Sequence, residues 1–303
     1  MSVITRNSFA KLLWPGINTI FGKSYNDHPM EWKTLGFETF NDGKAYSEDV
    51  AISGFGLAQV KGEGEPITYD SAKQTYVTRY TPVVYALGFM VTREQYEDNQ
   101  YALGLDSAQA LARSIRHTEE IVHADVLNNA FSSSYLGGDS QPLISASHPS
   151  YSGGAAMSNR PTTYVDVSEA AFEQSVIDIS KYVDDRGLKI ACRIKQLVIP
   201  IDLQFEVERI LMSQGRIGTA DNDPNALKMM GSIPKVVTSH YLTDTDAWFL
   251  VTDCPKGLRS YQRRKMEFGT DNDWETENAK FKATIRFVPG FTDWRGVYAS
   301  SGA

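Results

Sequence analysis

Cysteine is scarce: Cys192 and Cys254 are the only two in 303 residues. They are too few for a disulfide framework and lack C-x-x-C spacing, so they read as ordinary buried thiols. Long apolar runs are missing too, and none approaches the roughly 18 residues of a membrane-spanning helix. The opening MSVITRNSFAKLLWPGINTIFG has neither the apolar core nor the cleavage site of a signal peptide. Both absences predict a soluble protein made in a cytosol. There is no Gly-rich phosphate loop, dinucleotide fingerprint or spaced set of metal ligands, and Gly62-Glu63-Gly64 is too short to cradle a phosphate. Positive charge is also short: 30 Lys and Arg stand against 37 Asp and Glu, a net charge of −7. That excludes electrostatic binding of nucleic acid by the whole surface and leaves only a local basic patch open.

What is present suits a globular chain. With 42% hydrophobic and 22% charged residues it can bury a real core. Its length fits one large domain or two of about 150 residues each. Residues 1–34 hold one short amphipathic piece, Phe9, Leu12 and Leu13, expected to stop at Pro15-Gly16. Residues 36–91 are rich in Gly, Val, Thr and Tyr, the composition of strands broken by turns. Their middle, KGEGEPITYDSAKQ, has no apolar cluster able to make a core. A β-rich arm projecting from a body fits this composition, and an exposed meander packed on the common core is the alternative.

A long helix is predicted between Arg93 and Phe131, with Gly104 kinking or delaying its regular part. Ala108, Leu111, Ala112, Ile115, Val122, Val126 and Ala130 recur at spacings that form one buried stripe. About 25 residues at 1.5 Å rise make a rod nearly 40 Å long. Within it, SIRHTEEIVHAD invites a metal reading through His117, Glu119, Glu120 and His123. A zinc-protease helix needs His-Glu-x-x-His, with the histidines four apart on one face. Here they are six apart, about 240° round the helix, and cannot chelate one ion together. Only Glu119 and His123 share a face, so these residues read as decoration on the solvent side of a strut.

Residues 132–163 form a Gly, Ser and Pro-rich loop of a length that usually has a task. Ser145, Ser147 and His148 suggest a nucleophile, but no G-x-S-x-G elbow surrounds them. The rest reads as a mixed α/β unit. Ser168 is a plausible N-cap for a helix burying Phe172, Val176, Ile179 and Val183, with Gly187 as its stop. KQLVIP is a buried strand, IDLQFEVERILMSQGR a second helix and GTADNDPNALKMMG a polar loop. PKVVTSHYL and DAWFLVTD are further strands. KFKATIRFVPG alternates Phe281, Ala283, Ile285 and Phe287 with polar residues, as a half-buried strand does.

The ordered set of MVTREQYEDNQY, ADVLNNAF, GGDSQPLISASHP, KQLVIP, SHYLTDTDAWFLVTD and FKATIRFVPGFTDWRGVYAS resembles the major capsid proteins of tailed bacteriophages. The likeness is to the HK97-type fold and especially the Mu-like major head subunit group, from about Phe37 onward. No single motif in the set is diagnostic; the order is. The resemblance implies an α+β fold divided into an N-terminal arm (1–35), an E-loop hairpin with its base (36–90) and a P domain with spine helix (91–165). An A domain (166–262) and closing strands returning to the P domain (263–303) complete it. The implied function is a major head protein that assembles as hexamers and pentamers into an icosahedral shell around double-stranded DNA, without specific DNA binding. Each E-loop would lie over a neighbour, burying Tyr69 and Tyr76. Separate scaffold, portal and possible decoration proteins are the implied partners, and the virion the implied location, after synthesis in the host bacterial cytoplasm. Residues 1–34 lack the acidic helical repeats of a fused scaffolding segment. Lys44, Lys61 and Lys73 are candidates for cross-linking by location only. No catalytic, cofactor-binding or metal residue is assigned. The competing readings are an encapsulin-like shell around a protein cargo, a metal-dependent hydrolase and a monomeric α/β binding module.

Overall fold

The structure, a computed structural model, describes residues 9–98, 101–151, 153–215, 224–229, 234–273, 275–276 and 278–303. One sheet is built from β1 (Glu38–Asn41), β4 (Val83–Val91), β8 (Leu258–Asn272) and β9 (Ala279–Phe291), in the order β1-β8-β9-β4. β1 runs parallel to β8; the other pairs are antiparallel. The alternation expected of KFKATIRFVPG is present. Phe281, Ala283, Ile285 and Phe287 are all 2% exposed or less, and the residues between them face outward. Onto that buried face pack α1 (Phe9–Asp27), through Ile17 and Phe21, and α3 (Tyr101–Asn128), through Ala108, Leu111, Ala112 and Ile115.

A second sheet has the order β10-β7-β5-β6, from β5 (Ile194–Pro200), β6 (Lys235–Ser239), β7 (Trp248–Thr252) and β10 (Val297–Ser300). β7 is covered on both faces, hence its unbroken apolar run. Leu197, Ile199, Trp248 and Leu250 face α4 (Glu169–Ser180) and α5 (Gln204–Met212). Val198, Phe249 and Val251 face Leu127 of α3, Leu143, Ile144 and the 3-10 turn Trp32–Leu35. α3 therefore belongs to both cores, its first half in one and its last turn in the other. It is the beam that joins the two sheets. The polar segment 218–231 contains a short helix, α6 (Ala226–Met229), and lies in part outside the described residues. No helix among the described residues is long and apolar enough to cross a membrane.

Several expectations need correction. The first helix does not stop at Pro15-Gly16 but runs through to Asp27. Pro15 removes one backbone hydrogen bond, at a cost of about 3 kcal/mol. Ile17 and Phe21 offset it, each worth about 1.5–3 kcal/mol on burial. The helix predicted from Arg93 is two, α2 (Arg93–Glu97) and α3. The buried stripe of α3 does not skip from Ile115 to Val122. Arg116, Glu119, Glu120 and His123 are all 4% exposed or less, whereas Val122 and Val126 are half-buried. Lastly, Cys192 and Cys254 are not separate thiols: they form a disulfide, Cα to Cα 5.5 Å. Neighbouring strands, not sequence spacing, bring them together. The N-cap expected at Ser168 is present, its Oγ accepting from the Ala171 N–H at 3.2 Å, but the helix ends at Ser180 rather than at Gly187 and leaves Val183 outside it.

Candidate assembly surfaces

β2 (Ser47–Ile52) and β3 (Gln74–Tyr80) form an antiparallel hairpin outside both four-stranded sheets. Its root is hooked to the body by one carboxylate. Asp49 accepts from Arg259 Nη1 at 2.7 Å, Tyr261 OH at 2.8 Å and Thr292 Oγ1 at 2.8 Å. Burial pushes that carboxyl up, but the three hydrogen bonds and the Arg259 charge outweigh it and hold the group below the usual carboxylate range. Lys256 Nζ adds a bond to the Val50 carbonyl at 2.9 Å.

Beyond the root, residues 53–73 have no regular secondary structure. Leu57 is 76% exposed, Val60 99%, Ile67 64% and Tyr69 91%. Their own chain leaves these side chains largely exposed, where they are open to burial by another surface. One clip reaches the outer part of the hairpin. Arg186 Nη1 approaches Asp70 at 3.3 Å, Arg186 Nη2 donates to the Ser71 carbonyl at 2.8 Å, and Gly56 N donates to Asp70 at 2.8 Å. Tyr76 departs from expectation. Its hydroxyl donates to the Pro149 carbonyl at 3.0 Å and its ring meets Tyr151 edge-on, so its own chain partly occupies it. Lys44, Lys61 and Lys73 are exposed. A second apolar strip, Phe205 and Met212, lies on the outer side of α5, with Ile201 just before it.

The stretch read as solvent-side decoration is the dock for the N-terminal segment. Arg116 forms a short ion pair with Glu119, donates to the Tyr25 carbonyl at 3.0 Å and lies over the Tyr25 ring. The Tyr25 hydroxyl donates to Glu119 at 2.8 Å, and burial beside that carboxylate raises its pKa. Glu120 accepts from Trp32 N at 2.7 Å, and burial, with Glu31 nearby, pushes its carboxyl up to about 7. His123 lies between Trp32 (4.0 Å) and Phe287 (5.1 Å), both stacked on its ring, and bonds Ser260 Oγ at 2.9 Å. Burial lowers its pKa to about 4, so it is neutral near pH 7. His117 turns elsewhere, to Tyr241 OH at 3.0 Å and His28 at 3.4 Å. His117 and His123 thus serve different neighbours, as their six-residue spacing requires.

The long loop is pinned rather than loose. Asn159 Nδ2 shares its hydrogens among the carbonyls of Leu143 (2.7 Å), Val297 (2.9 Å) and Trp294 (3.2 Å). Its Oδ1 accepts from Ser145 N at 2.9 Å and faces His148 Nε2 at 3.1 Å. His148 Nδ1 meets Asp139 at 2.7 Å, and its ring stacks on Trp294. The side chain on Nε2 is an amide, and the Ser145 hydroxyl bonds Gln141 at 3.2 Å. Ser145, Ser147 and His148 are therefore not arranged as nucleophile and base.

A long beam between two sheets, a detached hairpin with an apolar tip and a buried polar dock for the N-terminal segment make up an α+β fold of the HK97 type. A family model described as phage capsid protein matches residues 75–300, and the chain belongs to that family. Among solved structures it is similar to a virus-like particle from Pyrococcus furiosus, with a TM-score of 0.52, 8% identity, 95% of this chain and 98% of that chain covered. A chain of Mycobacterium phage Adephagia gives a TM-score of 0.52, 11% identity and 91% coverage of both chains. The capsid of Myoviridae phage XM1 gives 0.50, 9% identity, with 91% and 92% covered. At these identities the likeness is one of fold; the family match is what separates a phage head protein from an encapsulin-like cargo shell. A sequence search of curated proteins gives no match.

Proposed function

We propose that this capsid protein closes its shell by laying residues 53–73 of each subunit on a neighbour, in hexamers and pentamers around double-stranded DNA. The carrying observation is the tip itself, where Val60 and Tyr69 are 99% and 91% exposed on a hairpin firmly hooked at its root. Apolar side chains displayed by design gain burial only between subunits. The division into arm (1–35), E-loop with its base (36–90), P domain (91–165), A domain (166–262) and closing strands (263–303) follows the same reading. Separate scaffold and portal proteins, synthesis in the host cytoplasm and the absence of enzymatic activity complete the proposal. A net charge of −7 suits a container that confines DNA without gripping it.

The test replaces residues 60–69 by a short Gly-Ser turn. The subunit should keep its helical circular dichroism and thermal transition, while electron microscopy shows no closed shells. An unfolded variant would mean that the tip belongs to a core of its own chain, and the proposal would fail.

A further inference from the structure

The Cys192–Cys254 pair sits where the two sheets are joined. Cys192 lies two residues before β5 and Cys254 two residues after β7. The strands already pair as far as Ile194 and Thr252, so the bond adds little to the sheet. What it fixes is the two segments that leave the sheet. One is the strap 255–257 into β8, which passes the 3-10 turn Trp294–Gly296 backbone against backbone at Gly257 and Gly296. Its Lys256 holds the hairpin root at the Val50 carbonyl, 2.9 Å, and the Lys256 carbonyl accepts from Asp293 N at 2.8 Å. The other is 181–193, whose Arg186 grips Ser71 and Asp70. One covalent bond therefore ties together two of the segments that hold the hairpin, one at its root and one further out.

We infer that Cys192 and Cys254 form an oxidation site that locks the seat of the hairpin after the shell has assembled. The inference rests on the shell reading above and on synthesis in a reducing cytoplasm. There the pair stays a dithiol, because cytosolic thiol pools keep such cysteines reduced. The two segments then keep some freedom while the hairpin settles on its neighbour. Outside the cell, dissolved oxygen removes two electrons and two protons from the thiols; the S–S bond forms and half an O2 leaves as water. At 5% and 8% exposure the closed bond is sheltered from large reductants.

The test compares shells released into N-ethylmaleimide under anaerobic, denaturing conditions with shells first held in aerated buffer. Intact-mass analysis should show two maleimide adducts per subunit in the first sample. The second should show none, and a subunit lighter by two hydrogens. Aerated shells should melt about 5–10 °C above anaerobic ones, the range expected for closing a loop of this size. Protease cleavage within 53–73 should slow on aeration. Cys192→Ser should assemble and lose both differences; should it not fold, the two wild-type samples still decide. A bond complete in quenched cells would overturn the inference, as would thiols that persist on aeration, or melting and cleavage indifferent to oxidation. If microscopy shows no shells at all, the shell reading fails, and thiol counts and cleavage of the free subunit still judge the lock.

Discussion

Glu120 and His123 are both buried on α3 yet pull stability in opposite directions with pH. The Glu120 carboxyl is pushed from its ordinary 4.5 to about 7 by burial. Below pH 4.5 it is protonated folded or unfolded and costs nothing. Between 4.5 and 7 the unfolded chain ionises first, so the fold loses stability as pH rises, by about 3 kcal/mol in all. His123, lowered from 6.5 to about 4, does the reverse. The unfolded chain gains its proton first, and stability is lost as pH falls from 6.5 to 4. In the native protein the slopes oppose between 4.5 and 6.5. Glu120→Gln should therefore raise the urea midpoint at pH 8, by roughly 2–3 kcal/mol equivalent, and leave a steady loss on acidification. A pH profile unchanged from wild type would contradict this reading of Glu120. Asn159 holds its surroundings without a charge, with no exposure and three carbonyls on its amide. Asn159→Ala strands those acceptors and the Ser145 N–H, and should cost about 3 kcal/mol or more in chemical denaturation.

At the scale of elements, α3 shows what was legible and what was not. Its existence, its length and the phase of Ala108 to Ile115 follow from apolar spacing alone, as do β5, β7 and β9. The segment 116–123 was not legible, because charged residues carry no apolar signal and burial of an ion pair is decided by what lands on it. That partner is the N-terminal segment through Tyr25 and Trp32, some 90 residues away in sequence. The same holds for the end of α1: local chemistry places a break at Pro15, and packing against α3, β8 and β9 carries the helix onward. β8 is anticipated only within the closing strands at 263–303, because its polar faces hide the alternation, and the disulfide is hidden because strand adjacency is invisible before topology. The surface tip was legible, since its lack of apolar clusters already spoke against a core. Removing half of the buried ion pair provides the test at this scale. Arg116→Ala leaves the buried Glu119 without its cation, at about 3–5 kcal/mol. Hydrogen exchange should then show amides of α1 opening before those of β9. Uniform loss across the molecule would mean that α1 is not docked through this pair.

For the whole molecule the question is how a body and its hairpin are coupled. The body holds both cores, and the hairpin touches it through Asp49, Lys256 and the Arg186 clip, and through Tyr76 and the buried Tyr80 of β3. Asp49 joins β2 to Arg259 and Tyr261 on β8 and to Thr292 after β9, so this one side chain helps fix the angle at which the hairpin leaves the body. In a shell that angle must repeat from subunit to subunit for the surface to close. Asp49→Ala removes the hook while the sheets and α3 keep their own apolar contacts. Its local cost should be about 2–3 kcal/mol, from a lost charged hydrogen-bond set left facing Arg259. Limited proteolysis should cut within residues 53–73 several-fold faster than in wild type, and fragments of the body should persist. Assembly should yield open sheets and particles of mixed size under negative stain. Closed, uniform shells from this variant would show that the neighbour, rather than the subunit's own root, sets the hairpin's direction.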